Sequence, residues 1–495
     1  MPKVKTLKSP KPKKKEICRP ALLEQKDFNR AQLEAIQYSK GPLLVIAGAG
    51  TGKTRVITER ILWLIQDKIC EPEEILALTF TEKATEEMQE RVDLALPIGH
   101  PELMIKTFHA FCDHILREYG LEIGLDPGYR ILTEIESWLF LRKNLFKLDL
   151  KYYRPLGNPT KFINSLIRYF SRLQDENIDP EKYRDFAKKM PEGTEEEKLE
   201  KERNLELVSA YRQYQELKAK EGVMDFGDLH FYVLKLLKGR PNILEKLSEQ
   251  YKYILVDEFQ DTNLAQNEFV ELLAEKYRNL TVVGDDDQSI YRFRGASTAN
   301  IIRFTQKFPD AKKIVLIENY RSSQNILDLA YEVIQGNNPN RLEVSEKLDK
   351  KIRSNQDSPG VIEVFHTPDG FKEVEEVVKK IQELIKKEKY QFSDFAILAR
   401  ANSQTDPFIY ELQSHGIPYQ YINAKGLYER EEVKDLLAVL RVLKSTYDAT
   451  PLFRLLKMKV FEIPMRDILM ILNFSRSKNT SLWRILNLVV EEKLT

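Results

Sequence analysis

Residues 42 to 54 read PLLVIAGAGTGKT, and no other stretch of the chain restricts its fold as tightly. A short apolar run of this kind is a buried strand, and the glycines that break it force a loop before any helix can begin. The pattern is that of a phosphate-binding loop. Its glycines let the backbone wrap an anion with N–H groups, its lysine neutralises phosphate oxygens, and its hydroxyl residue ligates magnesium. Ala47, Gly48, Ala49, Gly50, Thr51, Gly52, Lys53 and Thr54 fill those positions, with alanine in place of the first glycine, and the adjoining Arg55 is counted with the site. A nucleotide such as ATP, with Mg²⁺, is the expected ligand.

Such a site needs a second half, an acidic pair at the end of a buried strand, and ILVDEFQD (254 to 261) supplies it. Asp257 is the expected second ligand to Mg²⁺ beside Thr54, and Glu258 the group that orients and deprotonates the attacking water. The plainer reading is a strand end whose acids face solvent. Further short apolar runs, ILALTF (75 to 80), LTVVGD (280 to 285) and KIVLIE (313 to 318), alternate with helical patterns. That alternation predicts an α/β fold, a parallel sheet with helices on both faces.

Residues 118 to 222 break the alternation, being rich in Lys, Glu, Leu and aromatics, and read as a helical insertion. Its charge run EGTEEEKLEKERNLE is expected to be a solvated helix face. The segments VIEVFHT (361 to 367) and FAILAR (395 to 400), around FKEVEEVVKKIQELIKKE, predict strands and a helix of a second α/β domain.

At 495 residues the chain is too long for a single core, which suggests two to four domains. No apolar run is long enough to span a bilayer and no secretory signal is evident, so the cytoplasm is the expected location. Cys18, Cys70 and Cys112 lie far apart, which argues against a zinc ribbon or a disulfide framework. The net charge of +1 does not announce nucleic-acid binding. Only the tail MPKVKTLKSPKPKKK, with seven lysines and no acid, could attract phosphates without reading sequence.

The ordered motifs FNRAQ, AGAGTGKT, LTFTEKATEEMQERV, TFHAF, DFGDL, VDEFQDTN, VVGDDDQSIYRFRGA and ENYRSS resemble superfamily 1 DNA helicases of the UvrD/Rep/PcrA type, over roughly residues 25 to 445. The resemblance implies RecA-like domains with helical insertions. It assigns Gln32 to the adenine edge, Tyr320 to stacking on the base, Gln288 to sensing the γ-phosphate, and Arg321 to an arginine finger reaching from the second α/β domain. An amide can pair with adenine, an aromatic can cover its face, and a guanidinium can stabilise charge on the transferred phosphoryl group. As a plainer alternative, Tyr320 is a core aromatic.

For DNA the resemblance implies a track of Phe80, Thr107, His109, Tyr291 and Phe293, where aromatics stack on any base and polar groups grip phosphates. Phe108 and His109 could instead be packing residues. Two departures stand out: the family usually carries Trp at 293 and Asn at 82, and Glu82 would repel a nearby phosphate. The implied activity is ATP-driven 3′ to 5′ translocation on single-stranded DNA and unwinding of 3′-tailed duplexes, in DNA repair or recombination.

The expected organisation is a basic tail (1 to 24), a first RecA-like domain (25 to 117 and 223 to 305) interrupted by the helical insertion (118 to 222), the first part of a second RecA-like domain (306 to 428), and the start of a further helical insertion (429 to 495). The stretch AKGLYERE (424 to 431) reads as the entry to that last insertion. Its continuation YEREEVKDLLAVLRVL looks closer to the RecB/AddA-like branch. No Thr-Arg pair of the family's last motif follows residue 445, so a C-terminally incomplete motor is the expectation. The alternative is an ATP-gated single-stranded-DNA-binding fragment without motor activity. A small-molecule kinase is a weaker reading, because it gives TFHAF and DDDQSIYRFRGA no role.

Overall fold

Every residue of Leu43–Ala47 is buried, as a strand covered on both faces must be. In the computed structural model, which describes residues 28–97, 99–290, 299–388, 390–422, 431–446, 448–478 and 480–491, this strand (β1) lies inside a six-stranded parallel sheet. The others are β2 (Ile75–Thr79), β3 (Met104–Thr107), β4 (Tyr253–Val256), β5 (Leu280–Gly284) and β6 (Lys312–Leu316), in the order β3-β2-β4-β5-β1-β6. The expectations for residues 1–24, Tyr291, Phe293 and 424–430 fall outside the described residues.

Alternate side chains feed two cores. Leu44, Ile46, Leu76, Leu78, Ile254, Val256, Leu280 and Val282 pack on one face, while Leu43, Val45, Ala47, Ile75, Ala77, Leu255 and Val283 pack on the other. Each such leucine or valine contributes roughly 1.5–3 kcal/mol by leaving water. The register pairs Ile46 with Gly284, Ala47 with Leu316, and Leu78 with both Val256 and Lys106. Neighbouring strands therefore stop almost level, and the loops that follow them share one edge. Beneath that edge, buried Arg60 donates to the carbonyls of Ala35 and Ile36 (both 3.1 Å) and of Tyr38 (2.5 Å), and to Thr281 Oγ1 (3.0 Å). Burial pulls its pKa down to about 10, and the four acceptors keep the cation satisfied.

Most of residues 134–220 are helical and share a core of their own, in which Phe170 stacks against Tyr211 and Tyr214. The charge run forms most of the exposed first half of the helix Glu195–Lys220, which starts on a Thr194 capping box. The insertion closes where Arg130–Ile131 pairs with Val223–Met224. There the buried Lys218 ammonium bridges Asp225 (2.5 Å) and Asp228 (2.6 Å) of the DFGDL stretch.

The chain divides into compact units Met1–Ile362 and Glu363–Thr495. β6 pairs with β1 along its whole length and lies in the sheet of the first unit. One expectation changes. In the second unit, 363–367 and 395–400 form no strand. Val364 is 79% exposed and Leu398 93% exposed, and an extended segment becomes a strand only when a neighbour pairs its backbone. Among the described residues this unit is helical, with helices that include Gly370–Glu388, Glu431–Lys444 and Met465–Ser477.

Candidate functional site

At the C-terminal edge of the sheet the chain turns from β1 into the helix Lys53–Gln66 through Gly50 (φ +76°) and Gly52 (φ +88°). Both angles lie in the left-handed region that glycine enters without strain. Gly50 is also crowded: a Cβ there would stand 2.7 Å from the Arg321 Cβ and 2.8 Å from Asn319 Nδ2. The loop thus presents the N-terminus of a fourteen-residue helix, whose free N–H groups suit an anion.

Lys53, at that N-terminus, joins the ends of β4 and β5. Its Nζ lies 2.8 Å from Glu258 Oε2 and 3.2 Å from Gln288 Oε1. Gln260, buried, donates to Glu258 Oε2 (2.7 Å) and accepts from the Asp285 amide (3.0 Å), which fastens the two loops together. Gly284 makes room for this, since a Cβ there would meet Gln260 Oε1 at 2.6 Å. Glu258 itself has φ +49°, an uncommon conformation for a non-glycine residue, and its amide is held by Asp257 Oδ1 at 2.9 Å. The expected solvent-facing alternative for the acidic pair does not hold for Asp257, which is buried.

Burial, and then the neighbouring Glu258 charge, push the Asp257 carboxyl up to about 7, although the Thr54 hydroxyl hydrogen-bonds to it. A buried carboxylate that gains from positive charge, joined to the hydroxyl of the helix's first turn, is a donor pair that fits a hard divalent cation. Asp261 is raised to about 6 for the same two reasons, burial and Glu258.

The ENYRSS segment docks on the phosphate loop. Asn319 Nδ2 donates to the Ala49 carbonyl (2.6 Å), its Oδ1 accepts from the amides of Arg321 (2.8 Å) and Ser322 (2.7 Å), and the Tyr320 amide donates to the Gly50 carbonyl (3.0 Å). Arg321 falls within the same compact unit as the loop, because β6 delivers it beside Gly50. Tyr320 is 45% exposed, which excludes the core-aromatic alternative. Its hydroxyl donates to Glu318 Oε2 and accepts from Asn29 Nδ2, both at 3.0 Å.

Gln32 is buried. Its Nε2 donates to the Thr51 carbonyl (3.0 Å) and its Oε1 accepts from the Asn29 amide (3.1 Å) in a helix capping box. One N–H and one lone pair of that amide stay available for a ligand. Nearby, the Arg55 guanidinium lies over the Phe28 ring at 4.2 Å.

Of the residues expected to form a DNA track, Phe80, Thr107 and His109 lie at or just after the ends of β2 and β3, along the same edge. Phe80 directly follows β2 and is half-buried. Thr107 caps the helix Phe108–Tyr119, accepting from the Ala110 amide (3.2 Å), and spends its hydroxyl hydrogen on Glu82 (3.2 Å). His109 is half-buried, edge-on to His230 (4.6 Å) and Phe226 (5.5 Å), whereas Phe108 belongs to the core. Burial, and then His109, hold His230 well below the usual histidine range. Sequence reasoning missed Gln260 and Asn319 as site residues. Both sit inside quoted motifs, but they act by fastening neighbouring loops to one another, which no spacing rule reveals.

Residues 28–309 match the family model described as the UvrD/REP helicase N-terminal domain, and residues 314–493 match the UvrD-like helicase C-terminal domain. An ATP-dependent DNA helicase PcrA from Bacillus subtilis is 36% identical over 444 residues, covering 89% of this chain and 56% of the relative. The protein of that name from Staphylococcus epidermidis is 34% identical over 443 residues, covering 90% and 56%. A DNA helicase II from Rickettsia typhi is 36% identical over 460 residues, covering 92% and 66%. The chain thus spans little more than half the length of the PcrA relatives it matches.

Proposed function

The chain belongs to the UvrD-like DNA helicase family, and from that premise we propose that it is an ATP-dependent DNA helicase acting in the cytoplasm in DNA repair or recombination. The observation that carries the reading is the meeting of Lys53, Glu258 and Gln288 at one point on the sheet edge. ATP would bind with its phosphates at the helix N-terminus, its base beside Tyr320 and its adenine edge toward Gln32. Lys53 would then exchange the Glu258 carboxylate for phosphate oxygens, which frees Glu258 to take the proton of the attacking water. Gln288 and Arg321 would report and stabilise charge at the γ-phosphate. Thr54 and Asp257 would hold Mg²⁺, which neutralises phosphate charge when bound.

Single-stranded DNA would run along Phe80, Thr107 and His109, continuing to Tyr291 and Phe293. Because the Glu82 carboxylate shares the Thr107 hydroxyl, the phosphate grip there is weaker than at the other positions. The alternative, an ATP-gated DNA-binding module, is disfavoured by the match of the C-terminal domain over residues 314–493. Strand displacement separates the two: robust unwinding of a 3′-tailed duplex, and none of a 5′-tailed one, is the expected result. Binding of single-stranded DNA and ATP without displacement would establish the module instead.

A further inference from the structure

We propose that Lys350 is a positioning residue for ATP hydrolysis: its buried ammonium gathers three consecutive aspartates and through them holds the Gln288 amide against Lys53. Lys350 Nζ lies 2.7 Å from Asp285 Oδ1, 2.5 Å from Asp286 Oδ1 and 2.8 Å from Asp287 Oδ2. The far oxygen of Asp285 accepts from Gln288 Nε2 at 2.8 Å, and this turns Gln288 Oε1 toward Lys53 at 3.2 Å. An unbroken chain of charge-assisted bonds thus runs from Lys350 to the phosphate loop.

The remaining acceptors are also used. Asp286 Oδ2 accepts from the Leu342 amide (2.7 Å), and Arg341 grips Asp287 with Nε (2.8 Å) and Nη2 (2.7 Å). The three carboxylates bring ligand oxygens within 4.8 Å of one another, a spacing that could hold a metal ion. Here the ammonium bonds all three carboxylates, so the cluster is an internal ion site served by the chain's own cation. Burial acts to lower the Lys350 pKa, but the three aspartates outweigh it and hold the pKa above the ordinary lysine range.

The segment carrying Lys350 also touches the phosphate loop and the ENYRSS turn. Two residues on, Ile352 Cδ1 covers Gly48 so closely that a Cβ there would lie 2.4 Å away. Three residues on, Arg353 and Ser354 pair with Glu318 and Asn319, the strand that carries the Ala49 contact. One short segment therefore sets the loop of Gln288, the phosphate loop and the ENYRSS turn relative to one another. Removing the ammonium would leave three crowded carboxylates with one cation, Arg341, and the repulsion would pull Asp285 and its Gln288 partner out of place.

The inference rests on the ATPase reading, and the test keeps the two apart. ATP turnover stimulated by single-stranded DNA is measured for the full chain and for Lys350→Met, Gln288→Ala and the double variant. The expected result is a kcat reduced about 10- to 100-fold by Lys350→Met, the size of a misplaced catalytic group, with KM for ATP changed less than about threefold. The double variant should be no slower than Gln288→Ala alone, since both changes break the same link. Multiplying losses in the double variant, or an unchanged kcat in Lys350→Met, would overturn the inference while leaving the ATPase reading intact. Absence of turnover in the unaltered chain would overturn both. Should Lys350→Met fail to fold, Asp285→Asn takes its place in the same cycle, because Asp285 is the link between Lys350 and Gln288. Non-additivity there supports the inference, and additivity overturns it.

Discussion

Asn319 Nδ2 and the carbonyl oxygen of Ala49 are 2.6 Å apart, so the turn after β6 is bonded directly to the backbone of the phosphate loop. Asn319 is buried, and its Oδ1 also holds the Arg321 and Ser322 amides. Asn319→Ala leaves those backbone groups without partners, at a cost of about 1–3 kcal/mol. Thermal unfolding should fall accordingly, and binding of a fluorescent ATP analogue should weaken several-fold. Unaltered nucleotide affinity would mean that the contact does not shape the loop.

Lys53→Ala is expected to separate activity from stability. Lys53 is buried but Glu258 is partly open to solvent and can rehydrate once the lysine is removed, so the melting temperature should hardly move. ATP hydrolysis should drop by about 10²–10³-fold, as when an electrostatic donor to a reacting group is removed. Equal hydrolysis by the variant and the parent chain would sink the proposed role of the loop.

Tyr320 offers a test of base recognition. A stacked aromatic contributes about 0.5–1.5 kcal/mol, so Tyr320→Ala should raise KM for ATP about two- to tenfold, while Tyr320→Phe keeps the ring and most of the affinity. If the phenylalanine variant is as impaired as the alanine one, the hydroxyl bonds to Asn29 and Glu318 matter more than the ring.

Asp175 predicts a pH dependence of stability. Burial raises its carboxyl to about 7, and Asn263 Nδ2 donates to it at 2.7 Å. A carboxyl raised above its unfolded value binds its proton more tightly in the folded chain, so this contribution to stability is present at low pH and is lost as pH rises from about 4 to about 7. Asp175→Asn removes the ionisable group and keeps the acceptor. The variant should gain stability relative to the parent by on the order of 1 kcal/mol at pH 8 and by less at pH 5, read from denaturant unfolding. A gain of equal size at both values would assign the effect to packing.

Five of the six strands of the sheet, the phosphate loop and the acidic pair were legible in the residues because each is a local pattern, whereas Met104–Thr107 was not read as a strand. An apolar run ending in GAGTGKT can bury its side chains only as a strand, and its glycines then serve the anion. The strand that KIVLIE pairs with was not legible. KIVLIE reads as a strand in either sheet, and only pairing with Leu43–Ala47 assigns it to the first. Likewise VIEVFHT and FAILAR have strand composition, but composition supplies no partner for their backbone.

By itself the sequence determined which chemical groups the chain brings to a nucleotide: a lysine and a threonine after glycines, an acidic pair, a tyrosine and an amide. The tertiary structure alone decided how those groups are held. Gln260, Asn319 and Lys350 each act partly through hydrogen bonds to residues that are distant in the chain or to bare backbone. Such bonds depend on the level ends of parallel strands, and that alignment exists only once the sheet has formed.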